Sequence, residues 1–178
     1  MKTLVIYTSQ TGFTQRYAEW IKEETSADVL DLKEAKKKKA DYFQSYDAIL
    51  YGGWANAGKV TGAKWFFGKA ASWTSKKLGL FVVGASPADN PEAKTMMDKA
   101  IPEEMKNKMQ GFYLQGGLNY DRMSAGSRLA MKALLSIMNH KKNPTEKDKA
   151  MAEMISHSYD ISDRKFIAPI VSYVNGTV

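Results

Sequence analysis

Thr8-Ser9-Gln10-Thr11-Gly12-Phe13-Thr14 follows directly on the apolar run Leu4-Val5-Ile6-Tyr7 and opens a stretch in which Tyr17, Ala18, Trp20 and Ile21 recur at helical spacing. A strand, a short loop and a helix are expected in that order, with the loop at the helix N-terminus. The first amides of a helix have no partner within it and carry partial positive charge, so a phosphate seated there gains several charge-assisted hydrogen bonds. Ser9, Thr11 and Thr14 would add hydroxyl donors, and Gly12 would let the backbone approach closely. The plain alternative is a turn with Thr11 as the helix N-cap. A cap needs one hydroxyl, whereas three fall between Ser9 and Thr14, and that excess points to a phosphate cradle.

Outward from this loop, short β-type runs alternate with helical stretches. Lys2–Tyr7 reads as the first strand, Phe13–Thr25 as a helix, Asp28–Leu32 as the second strand and Ala48–Gly52 as the third. A helical Gly62–Ser75, the apolar strand Leu78–Gly84, a helical Pro91–Lys108 interrupted near Pro102, and the strand Gly111–Gly117 come next. The last helix, Asp163–Val174, puts Phe166, Ile167, Ile170, Val171 and Val174 on one face, with Pro169 as a local distortion. Near-continuous apolar strands are buried on both faces, the pattern of a parallel sheet between two helix layers. Segments rich in glycine and small residues fall at the strand ends: Thr8–Thr14, Gly52–Gly62, Gly84–Asn90 and Gln115–Asn119.

With 178 residues, 44% of them hydrophobic, the chain fits one domain with a substantial core. The absence of cysteine excludes disulfides, Cys-based metal sites and a cysteine nucleophile. His140 and His157 have no metal-ligand spacing, so no metal is expected. The apolar run near the N-terminus is too short for a signal-peptide core and no run approaches a membrane span, so the expected compartment is the cytoplasm. The net charge of +7 concentrates in two places. Lys33, Lys36, Lys37, Lys38 and Lys39 face only Glu34; Arg128, Lys132, Lys141, Lys142, Lys147 and Lys149 face Glu146 and Asp148. The first cluster reads as a solvated connection.

The Ser-x-Thr-Gly-x-Thr spacing after a first strand resembles the flavodoxin loop that holds the phosphate of flavin mononucleotide (FMN). The resemblance implies an α/β, doubly wound, five-stranded parallel sheet of order 2-1-3-4-5 with helices on both faces. The resemblance covers most of Met1 to Val174, and 1–178 is expected as a single such domain with a basic helical segment, 123–149, added after the fifth strand. Such folds bind ligands outside the carboxyl ends of the strands at the topological switch point. On this match Ser9, Gln10, Thr11, Gly12, Phe13 and Thr14 surround the phosphate. The segment Gly53–Gly58 stands as the second loop against the isoalloxazine ring, with Trp54 the stacking candidate and Ser86–Asn90 opposite. Ala55 belongs to that loop, and Asn56 and the backbone of Ala85 and Ser86 are candidates for hydrogen bonds to the ring edge.

Other readings fit worse. Gly53–Lys59 nearly matches a P-loop, but Val60 replaces the magnesium-binding hydroxyl. A dinucleotide site could use Asp31, yet the first loop has one glycine where that fingerprint needs three. A receiver domain would need acids where Thr8-Ser9 and Gly52-Gly53 stand. Nucleic acid is disfavoured because the basic clusters lack interleaved aromatics. The expectation is therefore an FMN-binding, flavodoxin-like redox protein that transfers electrons through the flavin to a redox partner protein. Short electron-carrying flavodoxins are typically acidic and this chain is basic. Its layout after the fifth strand resembles the flavodoxin-like, menaquinone-dependent protoporphyrinogen dehydrogenases, so the enzyme alternative is an FMN-dependent oxidoreductase acting on a quinone or porphyrin. A flavin-free interaction module is the third reading. On a helix, Arg128, Lys132, Ser136 and Asn139 form a narrow polar stripe while apolar residues cover the rest. Such a helix packs on the domain or serves as a docking surface, either for a partner or for an anionic membrane, placing the protein peripherally at a membrane's inner face.

Overall fold

The computed structural model describes residues 1–177. The apolar strands β1 (Thr3–Tyr7), β3 (Ala48–Asn56) and β5 (Lys77–Gly84) lie side by side in the middle of a parallel sheet, with β2 (Asp28–Asp31) and β6 (Met109–Gln115) at its edges. The order is β2-β1-β3-β5-β6. It is the expected 2-1-3-4-5 with one two-residue strand, β4 (Lys59–Val60), interposed in sequence and paired antiparallel to the end of β3.

Alternation along the strands divides the core in two. Leu4, Ile6, Ile49, Tyr51, Leu80 and Val82 face one way, against Leu32 and Ala35 of α2 (Leu32–Ala35), Phe43 of α3 (Ala40–Gln44), Phe66 of α4 (Ala63–Ala70) and Met96 of α5 (Pro91–Ala100). Val5, Leu50, Phe81, Val83 and Leu114 face the other way, against Tyr17, Ala18 and Ile21 of α1 (Phe13–Thr25). Gly52 is required where β3 passes under Phe81: a Cβ there would lie 2.0 Å from the ring.

Several boundaries depart from the sequence reading. The third strand does not stop at Gly52. Trp54 stays in register with Val83, and Ala55 and Asn56 pair back onto Val60 and Lys59. Ala57 and Gly58 make the turn with φ of 47° and 76°, the all-positive pair that a two-residue hairpin uses. Gly53–Gly58, expected as a loop, is thus strand and hairpin. The fifth strand ends at Gln115 instead of Gly117, because Gly117, at φ 156°, turns away. Gly117–Leu118 becomes β7, paired with a strand from far along the chain, β8 (Tyr159–Asp160). The helix expected from Gly62 ends at Ala70, and the one from Pro91 ends at Ala100, before a 3-10 turn at Glu103–Met105. The last helix is split into a 3-10 turn, Arg164–Ile167, and a helix at Ala168–Asn175. Pro169 sits in that helix's first turn, where no amide is needed, and distorts nothing. Lys36–Lys39 is the exposed connection between α2 and α3.

The added segment carries two helices, α6 (Ala125–Asn139) and α7 (Glu146–Ile155), and runs on to β8, beyond the expected 149. The helix that ends the chain at Ala168–Asn175 is α8; it packs Ile170 and Val174 beside α1. Packing into the core is not the fate of α6. It lies against α7 and buries no residue, leaving Leu129 69%, Leu134 44% and Ile137 71% exposed. Among the described residues no helix is long and apolar enough to cross a membrane.

Candidate functional site

The loop between β1 and α1 is held from both ends. The Thr8 amide donates to the Gly52 carbonyl at 2.9 Å, and the Gly12 amide donates to Ser9 Oγ at 3.1 Å. Gly12, at φ 102°, is the N-cap of α1 and supplies no side-chain bond, so Thr11 does not cap the helix. Among the described residues the amides of Gln10, Thr11, Phe13 and Thr14 have no acceptor, nor do the hydroxyls of Thr11 and Thr14 have a partner. Thr14 is 1% exposed. Unpaired donors at a helix N-terminus need an acceptor, and an anion satisfies several at once.

These donors open on a cavity of about 390 Å³, within the range of small-molecule sites. Ser9, Gln10, Thr11, Phe13 and Thr14 line one end. Trp54, Ala55 and Asn56 of the β3–β4 hairpin form a second wall, Val83, Gly84 and Ala85 a third, and Gly117 and Leu118 lie between. Gly12 shapes the loop without lining the space, and Ser86 lines an adjoining cavity of about 340 Å³ that shares Ala55, Gly84 and Ala85. Sequence reasoning missed the remaining wall, made of Met123, Gly126, Ser127, Ala130 and Met131 at the start of α6. Among the described residues no acidic or basic side chain lines the cavity. Lys59 and Asp89, which flank the site in sequence, do not line it either.

Tyrosines, Tyr17 buried and Tyr113 and Tyr159 half-buried, peg the strand ends that carry these walls. The Tyr159 hydroxyl donates to the Ala85 carbonyl at 2.8 Å, and Tyr113 to that of Ser86 at 2.8 Å. Tyr17 donates to the Gln115 carbonyl at 2.5 Å and accepts from the Asp163 amide at 3.2 Å. Burial pushes each of these phenols up to about 12, so they remain protonated donors. The carbonyls of Ala85 and Ser86, considered for a ring edge, already accept these bonds. The added segment is fastened to the first loop as well: Gln10 Nε2 donates to Ser124 Oγ, the N-cap of α6, at 3.3 Å. Arg122 lies over Gly12, its Nη1 only 2.6 Å from where a Cβ would stand. Tyr17, Tyr113, Tyr159 and Arg122 left no local signal, since their partners are distant in sequence.

A family model described as the flavodoxin domain matches residues 4–148. The chain belongs to the flavodoxin-domain family. Solved flavodoxin-like structures resemble it at low identity. A WrbA-like flavodoxin from Agrobacterium tumefaciens is 22% identical, with 71% of this chain and 87% of that one covered and a TM-score of 0.49. A flavoprotein in complex with FMN from Lactobacillus acidophilus NCFM is 18% identical, with 64% and 91% covered and a TM-score of 0.46. A flavodoxin from the domain Archaea is 16% identical, with 88% and 100% covered and a TM-score of 0.44. No curated protein matches the chain.

Proposed function

We propose that the cavity holds FMN and that the protein transfers electrons through it. The observation that carries this reading is the cluster of acceptor-free amides and hydroxyls from Gln10 to Thr14 at one end of an uncharged cavity. A terminal phosphate would take the loop donors. Trp54 would lie against the ring system, for it has no aromatic partner of its own among the described residues. Asn56 offers an exposed amide side chain at the hairpin tip. Met123, Ala130 and Met131 would exclude water from the remaining side. When bound, the flavin supplies the one- and two-electron chemistry that no side chain here can. The chain's own part is to bind, orient and desolvate it.

A second reading, oxidoreduction of a protoporphyrinogen or quinone substrate by an FMN-dependent enzyme resembling the menaquinone-dependent protoporphyrinogen dehydrogenases, is favoured by α6. Its cavity face, Gly126 and Ala130, continues at helical spacing into the exposed Leu134 and Ile137. An apolar substrate would find a path along that strip.

Titration with FMN and with riboflavin tests the cradle. FMN is expected to bind with a yellow spectrum and riboflavin far more weakly. Thr11→Ala should weaken FMN by about tenfold to a hundredfold, the worth of one hydrogen bond to a charged group. Equal affinity for the two flavins would sink the assignment. With FMN bound, turnover of protoporphyrinogen with a quinone separates enzyme from carrier.

A further inference from the structure

Three positive features converge on the first loop. The N-terminus of α1 points its unpaired amides there, the N-terminus of α6 is tied there through Ser124 and Gln10, and the Arg122 guanidinium rests on Gly12. A cation beside a helix N-terminus is electrostatically unfavourable unless an anion lies between them. Arg16 and Arg164 each pair with carboxylates, Asp160 for the first and Glu23 and Glu24 for the second. Arg122 has no ion pair and no side-chain hydrogen bond among the described residues. Its placement is nonetheless built. The Arg122 amide donates to Asn119 Oδ1 at 3.1 Å, the Met123 amide donates to the Asn119 carbonyl at 3.1 Å, and the Tyr120 amide donates to Ser158 Oγ at 3.0 Å. Gly12 leaves the space the guanidinium occupies: a Cβ there would lie 2.6 Å from Nη1 and the guanidinium would have to shift.

We infer that Arg122 is a phosphate clamp, and that a phosphate monoester on the first loop fastens α6 over the cavity through it; this rests on the FMN reading above. The dianion would neutralise both helix ends and the guanidinium together, and the forked donors of arginine suit phosphate oxygens. Met123, Gly126, Ser127, Ala130 and Met131 follow Arg122 directly and form the cavity wall, so closing the clamp closes the wall. The phosphate is then more than a handle for affinity. It reports that the cavity is filled by a phosphorylated ligand and sets the position of the exposed helix outside it.

The test measures FMN and riboflavin affinity by calorimetry for the full chain, Arg122→Gln and Arg122→Lys at low and high salt, with hydrogen exchange over α6. Arg122 is exposed, so both variants should fold, as circular dichroism would verify. Arg122→Gln is expected to lose about tenfold to a hundredfold in FMN affinity, to change riboflavin by less than about twofold, and to lose much of the salt dependence. Arg122→Lys, which keeps the charge without the fork, should fall between. FMN but not riboflavin should protect the amides of α6, and Arg122→Gln should abolish that protection. Undiminished FMN binding by Arg122→Gln overturns the clamp and leaves the FMN reading standing. A lysine variant no better than glutamine overturns charge as the cause. A wild type that fails to prefer FMN over riboflavin removes the cofactor reading, and the clamp with it.

Discussion

Replacing Tyr17 by Phe deletes one oxygen from the interior and tests what holds the cavity wall after β6. Tyr17 is 0% exposed, and its hydroxyl serves the Gln115 carbonyl at 2.5 Å and the Asp163 amide at 3.2 Å. Phe keeps the ring and its packing but leaves a part-buried acceptor and a part-buried donor without this partner, each costing about 1–3 kcal/mol. The expected loss is about 3 kcal/mol, or roughly 6–12 °C in Tm for a chain of this size. Urea denaturation measures it directly, and Tyr159→Phe, whose hydroxyl makes one bond, should lose only about 1 kcal/mol. Alkaline pH supplies an independent reading. Burial raises the Tyr17 phenol from 10.0 to about 12. The unfolded chain releases that proton first, so the stability is present below pH 10 and is lost as pH rises toward 12. At about 1.36 kcal/mol per unit, the wild type should lose up to about 2.7 kcal/mol across that window through this residue alone. Tyr17→Phe lacks that loss, and the gap between the two proteins should narrow accordingly. A variant within about 0.5 kcal/mol of wild type at neutral pH, or a gap unchanged by alkali, would refute the argument.

Trp54→Ala should weaken FMN by about 1–3 kcal/mol without lowering Tm, and unchanged affinity in a fluorescence titration would remove Trp54 from the ring contact. Gly117→Ala would place a Cβ 2.1 Å from the Tyr159 carbonyl oxygen; it should cost about 1–3 kcal/mol and loosen the β7–β8 ribbon, as limited proteolysis after Leu118 would reveal. Because no acid lines the cavity, Ser127→Asp should lower the flavin's two-electron midpoint by about 45 mV, taking about 2 kcal/mol for a charge at roughly 8 Å in an effective dielectric near 20. An unshifted potential would place the ring away from Ser127. Cosedimentation with vesicles should rise with anionic lipid, fall with salt, and be abolished by Lys132→Glu with Lys142→Glu, chosen because Lys141 is already paired with Asp148 at 2.7 Å. A protein left in the supernatant at every composition rules out the membrane surface.

Local signals were enough for the framework. Apolar runs and helical spacing marked the five parallel strands and α1, whose bounds Phe13–Thr25 match the sequence reading. The first loop could be read because its donors are neighbours in the chain, and backbone amides at a helix start are unpaired whatever the rest of the fold does. The hairpin from Trp54 to Val60 was less legible, since Ala57 adopts a positive φ without the asparagine or aspartate that usually announces it.

Tertiary structure alone decided what closes the cavity and how it is held. Arg122 meets Gly12, Tyr159 meets Ala85 and Tyr17 meets Asp163 across 74 to 146 residues of sequence, and no periodicity encodes such pairings. The apolar composition of α6 required a partner but could not say which. Its place in the fold leaves Leu134 and Ile137 in solvent, on the helix whose first turns line the site. A sequence determines which faces are apolar, through the period of its residues; only the packed chain determines which of those faces remains uncovered.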